Sequence, residues 1–366
     1  MTDTAKLRVA LLFGGQSAEH EISILSARNV LAALDRGRFE PLLIGIDKQG
    51  RWVLQDAARL LASARDPRLV HIEDGAPVGK DLILCGGTAA AGGPIDVIFP
   101  VLHGTMGEDG TVQGFLELTG IPYVGAGVLG SAIGMDKDVS KRLLRDAGIA
   151  VADFVTLRRE RFEADPAGSL AQLGALGSPV FTKPANAGSS IGVRKVTDRA
   201  QIEDAVRHAF RFDAKVLIES AVTAREIELA VLGGNPPAVS VAGEIVVRHP
   251  DGFYSYDAKY LDENGARLEL PARLTPDQLA RSQAIAVRAF EVLECDGMAR
   301  VDLFLKPDGA LLVNEINTIP GFTAISMYPK LWELSGVPPT ELVTRLIDLA
   351  LERGRRRAAL ERSTLR

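Results

Sequence analysis

The sequence predicts an α/β protein whose N-terminal part is an open parallel sheet and whose C-terminal half is α+β. Three observations point there. An apolar run from Leu7 to Phe13 ends in Gly14-Gly15 and leads into a helical pattern from about Glu21 to Leu34, which is the strand, glycine turn, helix order of a parallel unit. Late in the chain Ala299, Val301, Leu303 and Leu305 alternate with Arg300 and Asp302, the period of a strand with one buried face. The 366 residues are too many for one small core and imply two or three domains.

Hydrophobic content of 46% and charged content of 24% are those of a soluble globular protein. A net charge of −5 argues against a general nucleic-acid or anionic-membrane surface while leaving local basic clusters free to meet anionic ligands. The run Arg353 to Arg357 reads as a solvated helix end. Cys85 and Cys295 lie far apart without histidines at metal spacing, so neither a disulfide framework nor a zinc site is expected. The N-terminus has no basic segment followed by a long apolar stretch, and no run reaches about 18 apolar residues. A cytoplasmic protein without a membrane partner is the expectation.

The elements follow in order. Residues 1–134 form a first domain, with further strands near Leu42–Ile46 and Val97–Val101 and a helix from about Val112 to Thr119. Gly14 to Glu19 lacks the G-x-G-x-x-G spacing of a dinucleotide fold, which weakens an oxidoreductase reading. Ser17 and Glu19 nevertheless project where open sheets present ligand-binding groups. Residues 135–222 form a second unit. A helix carrying Lys141 ends near Gly148, and strands at Val151–Leu157 and Val180–Lys183 flank a helix at Leu170–Leu176. The loop from Lys183 to Gly192 has small residues, serine hydroxyls and a lysine at the strand end, which suits a phosphate, although no Gly-Lys-Ser/Thr closes it. A flexible Gly/Ser connection has the same composition. Val216–Glu219 is a buried strand with a carboxylate at its exit.

Residues 223–366 form the third unit. Glu226 and Glu228 point the same way along a strand, fit either to hold ribose hydroxyls or an exocyclic amine, or to form a polar surface. The polar, loop-like stretch from Asp251 to Pro271 carries Phe253, Tyr254, Tyr256 and Tyr260, and reads as a lid bringing Lys259 and Tyr260 to a site or as a packed surface loop. Thr275 to Gln278 starts a capped helix with Leu279, Ala286, Phe290 and Leu293 as its buried stripe. Then comes a hairpin with Pro307-Asp308-Gly309 at its turn. An even loop centred on Asp308-Gly309 sets Asp302 opposite Glu315 and Arg300 opposite Asn317; a three-residue loop with a bulge brings Asn314 opposite Asp302 and turns Glu315 away. Opposed carboxylates repel unless a cation lies between them, and Asp, Glu and Asn suit Mg²⁺ shared with phosphate oxygens. The same residues also compose an ordinary solvated hairpin face. Past the hairpin, Asn317 to Thr323 is a turn-forming loop whose Gly321 N–H is a candidate oxyanion donor.

Taken together, these pieces resemble the D-alanine–D-alanine ligases of the ATP-grasp superfamily over nearly the whole chain. The resemblance rests on Phe13 to Ser23, His103-Gly104 with Gly107 to Gly110, Met135-Asp136-Lys137, Lys183-Pro184 to Gly192, Tyr256 to Tyr260, Arg300-Val301-Asp302, and Asn314 to Thr318 through Pro320-Gly321. It implies an ATP-grasp fold behind a Rossmann-like N-terminal domain, with ATP between the central and C-terminal units. It also implies two D-alanines joined through an acylphosphate for peptidoglycan precursor synthesis, with no nucleic-acid partner and a homodimer as the assembly. By that resemblance Asp302, Glu315 and Asn317 hold two Mg²⁺ ions, or Mn²⁺. Lys137, Lys183 and Lys259 contact ATP phosphates, Glu219 and Glu226 hold adenine and ribose, and Ser190, Val222, Phe253 and Phe304 line the nucleotide site. Glu19 orients the first D-alanine's ammonium, with Ser189 and Tyr260 closing the site. His103 lies near the first substrate, with Glu108 supporting that pocket. Arg300 and Gly321 receive the tetrahedral oxyanion, and Ser326 with Met327 takes the second substrate's carboxylate. A ligase using D-lactate or D-serine shares the ATP machinery, although the Lys259-Tyr260 pair resembles the dipeptide-forming pattern. A silent nucleotide-binding relative is the remaining alternative.

Overall fold

The opening strand β1 (Leu7–Gly14) leads into α1 (His20–Ala33), β2 (Phe39–Ile46), β3 (Trp52–Leu54) and α2 (Ala57–Ala62), then β4 (Val97–Val101), α3 (Thr111–Thr119) and α4 (Val128–Met135). The structure is a computed structural model that describes residues 6–63, 66–77, 93–248 and 265–361. β1 pairs in parallel with β2 and β4, while β3 lies antiparallel on the edge, giving the order β3-β2-β1-β4. Strand order therefore reverses between β1 and β4, where open α/β sheets leave a crevice beyond the strands' carboxyl ends. The loops after these two strands carry Glu19 and His103. Alternation decides the layers: Val9, Leu11, Phe13 and Phe99 enter one core, and Ala10, Leu12, Ile44 and Ile98 enter another.

The second unit contains α5 (Lys137–Asp146), β5 (Phe154–Arg158), α6 (Arg159–Ala164), α7 (Pro166–Ala171), β6 (Val180–Pro184), β7 (Arg194–Val196), α8 (Ile202–Ala209) and β8 (Lys215–Ser220). Its strands form an antiparallel sheet, β5-β8-β6-β7. The helix expected at Leu170–Leu176 starts earlier, because the Asp165 side chain caps the Gly168 N–H and Pro166 occupies the first turn. Gln172–Leu176 continues it as a tighter 3₁₀ turn.

The third unit runs through β9 (Arg225–Leu232), β10 (Ala238–Val247), β11 (Ala266–Glu269), α9 (Pro276–Val292), β12 (Met298–Leu305), β13 (Leu311–Asn317), α10 (Met327–Leu334) and α11 (Pro339–Ala358). Its sheet order is β11-β10-β9-β12-β13. β11 corrects the reading of a loop as far as Pro271: Ala266 to Glu269 pairs with Val247 to Glu244. Thr275 and Gln278 form the expected reciprocal cap on α9, whose Ala286 and Phe290 are buried. None of the described helices is long and apolar enough to cross a membrane.

The hairpin joining β12 and β13 departs from the expected even turn. Lys306 N–H bonds to Ala310 O and Gly309 N–H to Lys306 O, each at 2.9 Å, so Pro307, Asp308 and Gly309 form a three-residue loop. Gly309 has φ 82°, left-handed backbone that a side chain would strain. Next to the turn Leu303, Phe304 and Leu305 pair with Val313, Leu312 and Leu311; beyond it Asp302 pairs with Glu315 and Arg300 with Asn317. Asn314 is the extra residue between the two registers, a β-bulge that absorbs the odd turn. The loop is odd rather than even, and the bulge at Asn314 nonetheless sets Asp302 opposite Glu315.

Candidate functional site

The hairpin face is built on adjacent strands. Asp302 on β12 lies between Glu228 on β9 and Glu315 on β13 as direct cross-strand partners, so the three carboxylates start from one level of the sheet. Arg300 sits two residues away on the same face as Asp302. Its Nε is 2.7 Å from Asp302 Oδ1 and 3.0 Å from Glu228 Oε2, and its Nη2 donates to Asp302 Oδ2 at 2.7 Å. Burial works against the guanidinium's charge, but Asp302 and Glu228 outweigh it and hold the group charged well above its ordinary value. Asn317 Nδ2 donates to Asp302 Oδ2 at 3.1 Å. Among the described residues no cluster of three or more His, Cys, Asp or Glu makes a metal cage. A cation here would draw two carboxylates and an amide from the protein and complete its shell with phosphate oxygens or water, a donor set that fits Mg²⁺ and not a closed zinc site.

The phosphate-loop candidate reaches this face through Lys137. Its Nζ donates to Ala187 O at 2.8 Å and stands 3.7 Å from Glu315 Oε2. Ser189 and Ser190 have φ of 49° and 58°, strained backbone in a loop that meets Glu19 at the N-cap of α1. The loop brings Gly188 so close to Glu19 that a Cβ there would lie 2.7 Å from Glu19 Oε2. The Ser189 hydroxyl donates to Glu19 Oε1. Lys183, at the end of β6, pairs with Glu219 on β8, and Lys141 on α5 reaches the same carboxylate at 2.6 Å. Burial raises the Glu219 carboxyl, but the two ammonium groups overcome it and hold it at about 2. Burial pulls the Lys141 ammonium below its ordinary value despite Glu219. Glu219 thus stays charged between the two lysines beside the loop.

These parts surround a cavity of about 470 Å³ whose walls include Glu19, His103, Ser189, Arg300, Glu315, Asn317, Gly321, Ser326 and Met327. Glu19 enters it from the N-cap of α1; its N–H bonds to Ser17 Oγ at 3.2 Å, and that hydroxyl donates to His103 O at 2.7 Å. Both ring nitrogens of His103 have protein partners: Nδ1–H donates to Ile319 O and Nε2 accepts from the Ser26 hydroxyl, each at 3.0 Å. Burial holds that ring below its ordinary pKa, hence neutral. His103 therefore supports the pocket wall through two internal bonds. Glu108 also lines the cavity. Burial, with Glu19 nearby, pushes its carboxyl up to about 8, and one oxygen accepts the Gly104 N–H at 3.2 Å. Ser326 Oγ accepts the Thr323 N–H at 3.0 Å.

The remaining expected residues occupy other positions. Val222 lies in the connection from β8 to β9, and Glu226 faces Phe304 across the β9–β12 pair; none of the three lines the cavity. Phe253, Lys259 and Tyr260 lie outside the described residues. Sequence reasoning assigned no role to Lys141, and it read Glu228 beside Glu226 as a holder of ribose or an amine or as a polar surface, not as the partner of Arg300. Lys141 carried a usable signal: it falls three residues before Leu144 on the buried face of α5, where a lysine needs a carboxylate partner.

Known proteins resemble this chain over nearly its whole length. The N-terminal family model of D-ala D-ala ligases matches residues 8–126, and the C-terminal model matches residues 143–348. A D-alanine–D-alanine ligase A of Chromobacterium violaceum is 54% identical over 98% of this chain and 99% of the relative. The Escherichia coli D-alanine–D-alanine ligase A is 50% identical over 95% of this chain and 96% of its own. Among solved structures, the D-alanine–D-alanine ligase of Coxiella burnetii superposes with a TM-score of 0.80 at 37% identity, covering 97% of both chains. A D-Ala:D-Ser ligase of Enterococcus faecalis gives 0.80 at 34% identity, covering 94% of this chain and 100% of that one.

Proposed function

The chain belongs to the D-alanine–D-alanine ligase family, and from that premise we propose that it joins two D-alanines with ATP to make D-alanyl-D-alanine for peptidoglycan precursors. The observation that carries this reading is one cavity holding the Glu19–Ser189 pair on one wall and Arg300, Glu315, Asn317 and Gly321 on another. The first wall suits an amino acid's ammonium; the second suits developing negative charge. The reading with D-alanine as second substrate is supported by relatives at 50–54% identity that bear this name, against 34% for the D-Ala:D-Ser ligase.

The chemistry is anion attacking anion, so alignment and neutralisation must supply much of the rate. A carboxylate oxygen of the first D-alanine forms a bond to the γ-phosphorus as the bond to ADP breaks. The second D-alanine's ammonium loses a proton, and the free amine attacks the acyl carbon. The tetrahedral oxyanion then expels phosphate, and the nitrogen's second proton leaves as the amide forms. Glu19 holds the first ammonium, with Ser189 fixing the carboxylate's rotamer. Arg300 and the Gly321 N–H face the oxyanion, where pre-aimed donors are worth roughly 3–4 kcal/mol each. Lys137 and Lys183, with Lys259, draw the phosphates toward this face. The nucleotide lies near Ser190, Glu219, Val222, Phe253, Glu226 and Phe304. Asp302, Glu315 and Asn317 would hold divalent metal, two Mg²⁺ ions or Mn²⁺, which neutralises phosphate charge when bound. Ser326 and Met327 take the second carboxylate, and Tyr260 closes over the first. Three domains, 1–134, 135–222 and 223–366, a homodimer and a cytoplasmic location complete the proposal; the three separate sheets support the division.

A heavy oxygen isotope in the carboxylate of D-alanine tests the route. One labelled oxygen should appear in inorganic phosphate for each dipeptide formed. Unlabelled phosphate accompanying dipeptide would eliminate the acylphosphate.

A further inference from the structure

The loop that presents Gly321 belongs to the C-terminal unit, yet its backbone is held by the N-terminal one. His103 Nδ1–H donates to Ile319 O at 3.0 Å. Ser26 Oγ accepts the Phe322 N–H at 3.1 Å, and Asn29 Nδ2 donates to Phe322 O at 2.8 Å. Ser26 and Asn29 are three residues apart on α1, hence on one helix face. The Ser26 hydroxyl has one proton, which it gives to His103 Nε2 at 3.0 Å while its lone pair takes the amide, so all three side chains form one connected set. Ser26 and His103 are buried, and the Phe322 ring packs edge-on against Phe99 of β4 at 6.3 Å. The backbone on both sides of Gly321 is thereby fixed against the helix whose N-cap is Glu19.

We propose that Ser26 and Asn29, with His103, are positioning residues that set the Gly321 N–H relative to Glu19, making α1 the ruler between the first substrate's ammonium and the oxyanion donor. This rests on the ligase reading. The residues act through the loop and hold no substrate atom themselves. Their removal should depress the step that develops the oxyanion while leaving nucleotide binding alone, because the Lys183–Glu219–Lys141 cluster is built on α5, β6 and β8.

Ser26→Ala and Asn29→Ala test this. Each should lower kcat about 10- to 100-fold with the KM for ATP within about twofold of wild type, as expected for a reacting group displaced by a fraction of an ångström. Affinity for a phosphonate dipeptide mimicking the tetrahedral intermediate should fall by the same factor as kcat. Ser26→Thr, which keeps the hydroxyl, should recover most of the loss. Hydrogen exchange at the Phe322 amide should accelerate in Ser26→Ala, and this readout does not depend on which reaction the protein performs. An inactive wild type with a protected Phe322 amide would remove the ligase reading and leave the clamp standing. Unchanged kcat and unchanged exchange in both variants would overturn the clamp. Parallel loss of ATP affinity without rescue by threonine would also overturn it, by showing general damage; if Ser26→Ala does not fold, Asn29→Ala carries the same decision.

Discussion

Glu315 pairs across the hairpin with Asp302 and stands 3.7 Å from Lys137, so one carboxylate serves both the proposed metal and the phosphate loop. Glu315→Gln keeps the volume and removes the charge; turnover should fall at least about 100-fold, with an unchanged urea midpoint. Undiminished turnover would remove the metal assignment. Glu219→Gln should behave differently, because it leaves two lysine ammonium groups crowded together at a buried position. A loss of about 3–5 kcal/mol in unfolding free energy is expected, together with weakened ATP binding. Glu108 gives a pH signature. Its carboxyl, ordinarily 4.5, rises to about 8 in the folded state, so folding takes up a proton between those values and stability falls as pH rises through the window. Glu108→Gln should therefore gain on wild type progressively from about pH 4.5 to 8 and level off above, by a few kcal/mol at most, in urea unfolding of the ligand-free chain. A difference independent of pH would show that Glu108 ionises normally.

The hairpin shows what the sequence reveals about an element and what it hides. The alternation from Ala299 to Leu305 names the buried face of β12, and Ala299, Val301, Leu303 and Leu305 are all buried. Turn type was hidden, because Pro-Asp-Gly serves loops of different length and a left-handed Gly309 suits both; the Lys306 N–H bond to Ala310 O decides between them. A signal for the bulge did exist: on β13 the buried positions run Leu311, Val313, then Ile316, so the period of two slips by one at Asn314. Gly309→Ala should accordingly destabilise the protein by about 1–2 kcal/mol with little change in kcat at saturating substrate, because the bulge lies between the turn and the site. Thermal unfolding and steady-state rates would check this together. Loss of kcat without loss of stability would mean that the turn itself sets the site's register. For α9, Thr275 and Gln278 announced the cap correctly because that geometry is local.

At the scale of the molecule, the described residues form three separate sheets, and the packing between them was not legible in the sequence. The final helix α11 returns to the first sheet: Leu342, Leu346 and Ile347 share one core with Val9, Leu11 and Phe99. No local pattern distinguishes such a helix from one packed on its sequence neighbours, since the same apolar stripe serves either face. A fragment of residues 1–134 should consequently fail to unfold cooperatively and should bind hydrophobic dye, its sheet lacking that cover. A sharp thermal transition in the fragment would contradict the shared core. The Ser26, Asn29 and His103 bonds to the Ile319–Phe322 loop escaped sequence reasoning for the same reason, being contacts across 216 to 296 residues of chain. The central claim is that this cavity joins two D-alanines at the expense of ATP. Turnover with Mg-ATP and D-alanine, with D-serine or D-lactate added in competition, measures it most directly. One ADP and one phosphate per D-alanyl-D-alanine, with D-alanine the preferred second substrate, is the predicted result; no ADP release with any D-amino acid would contradict it.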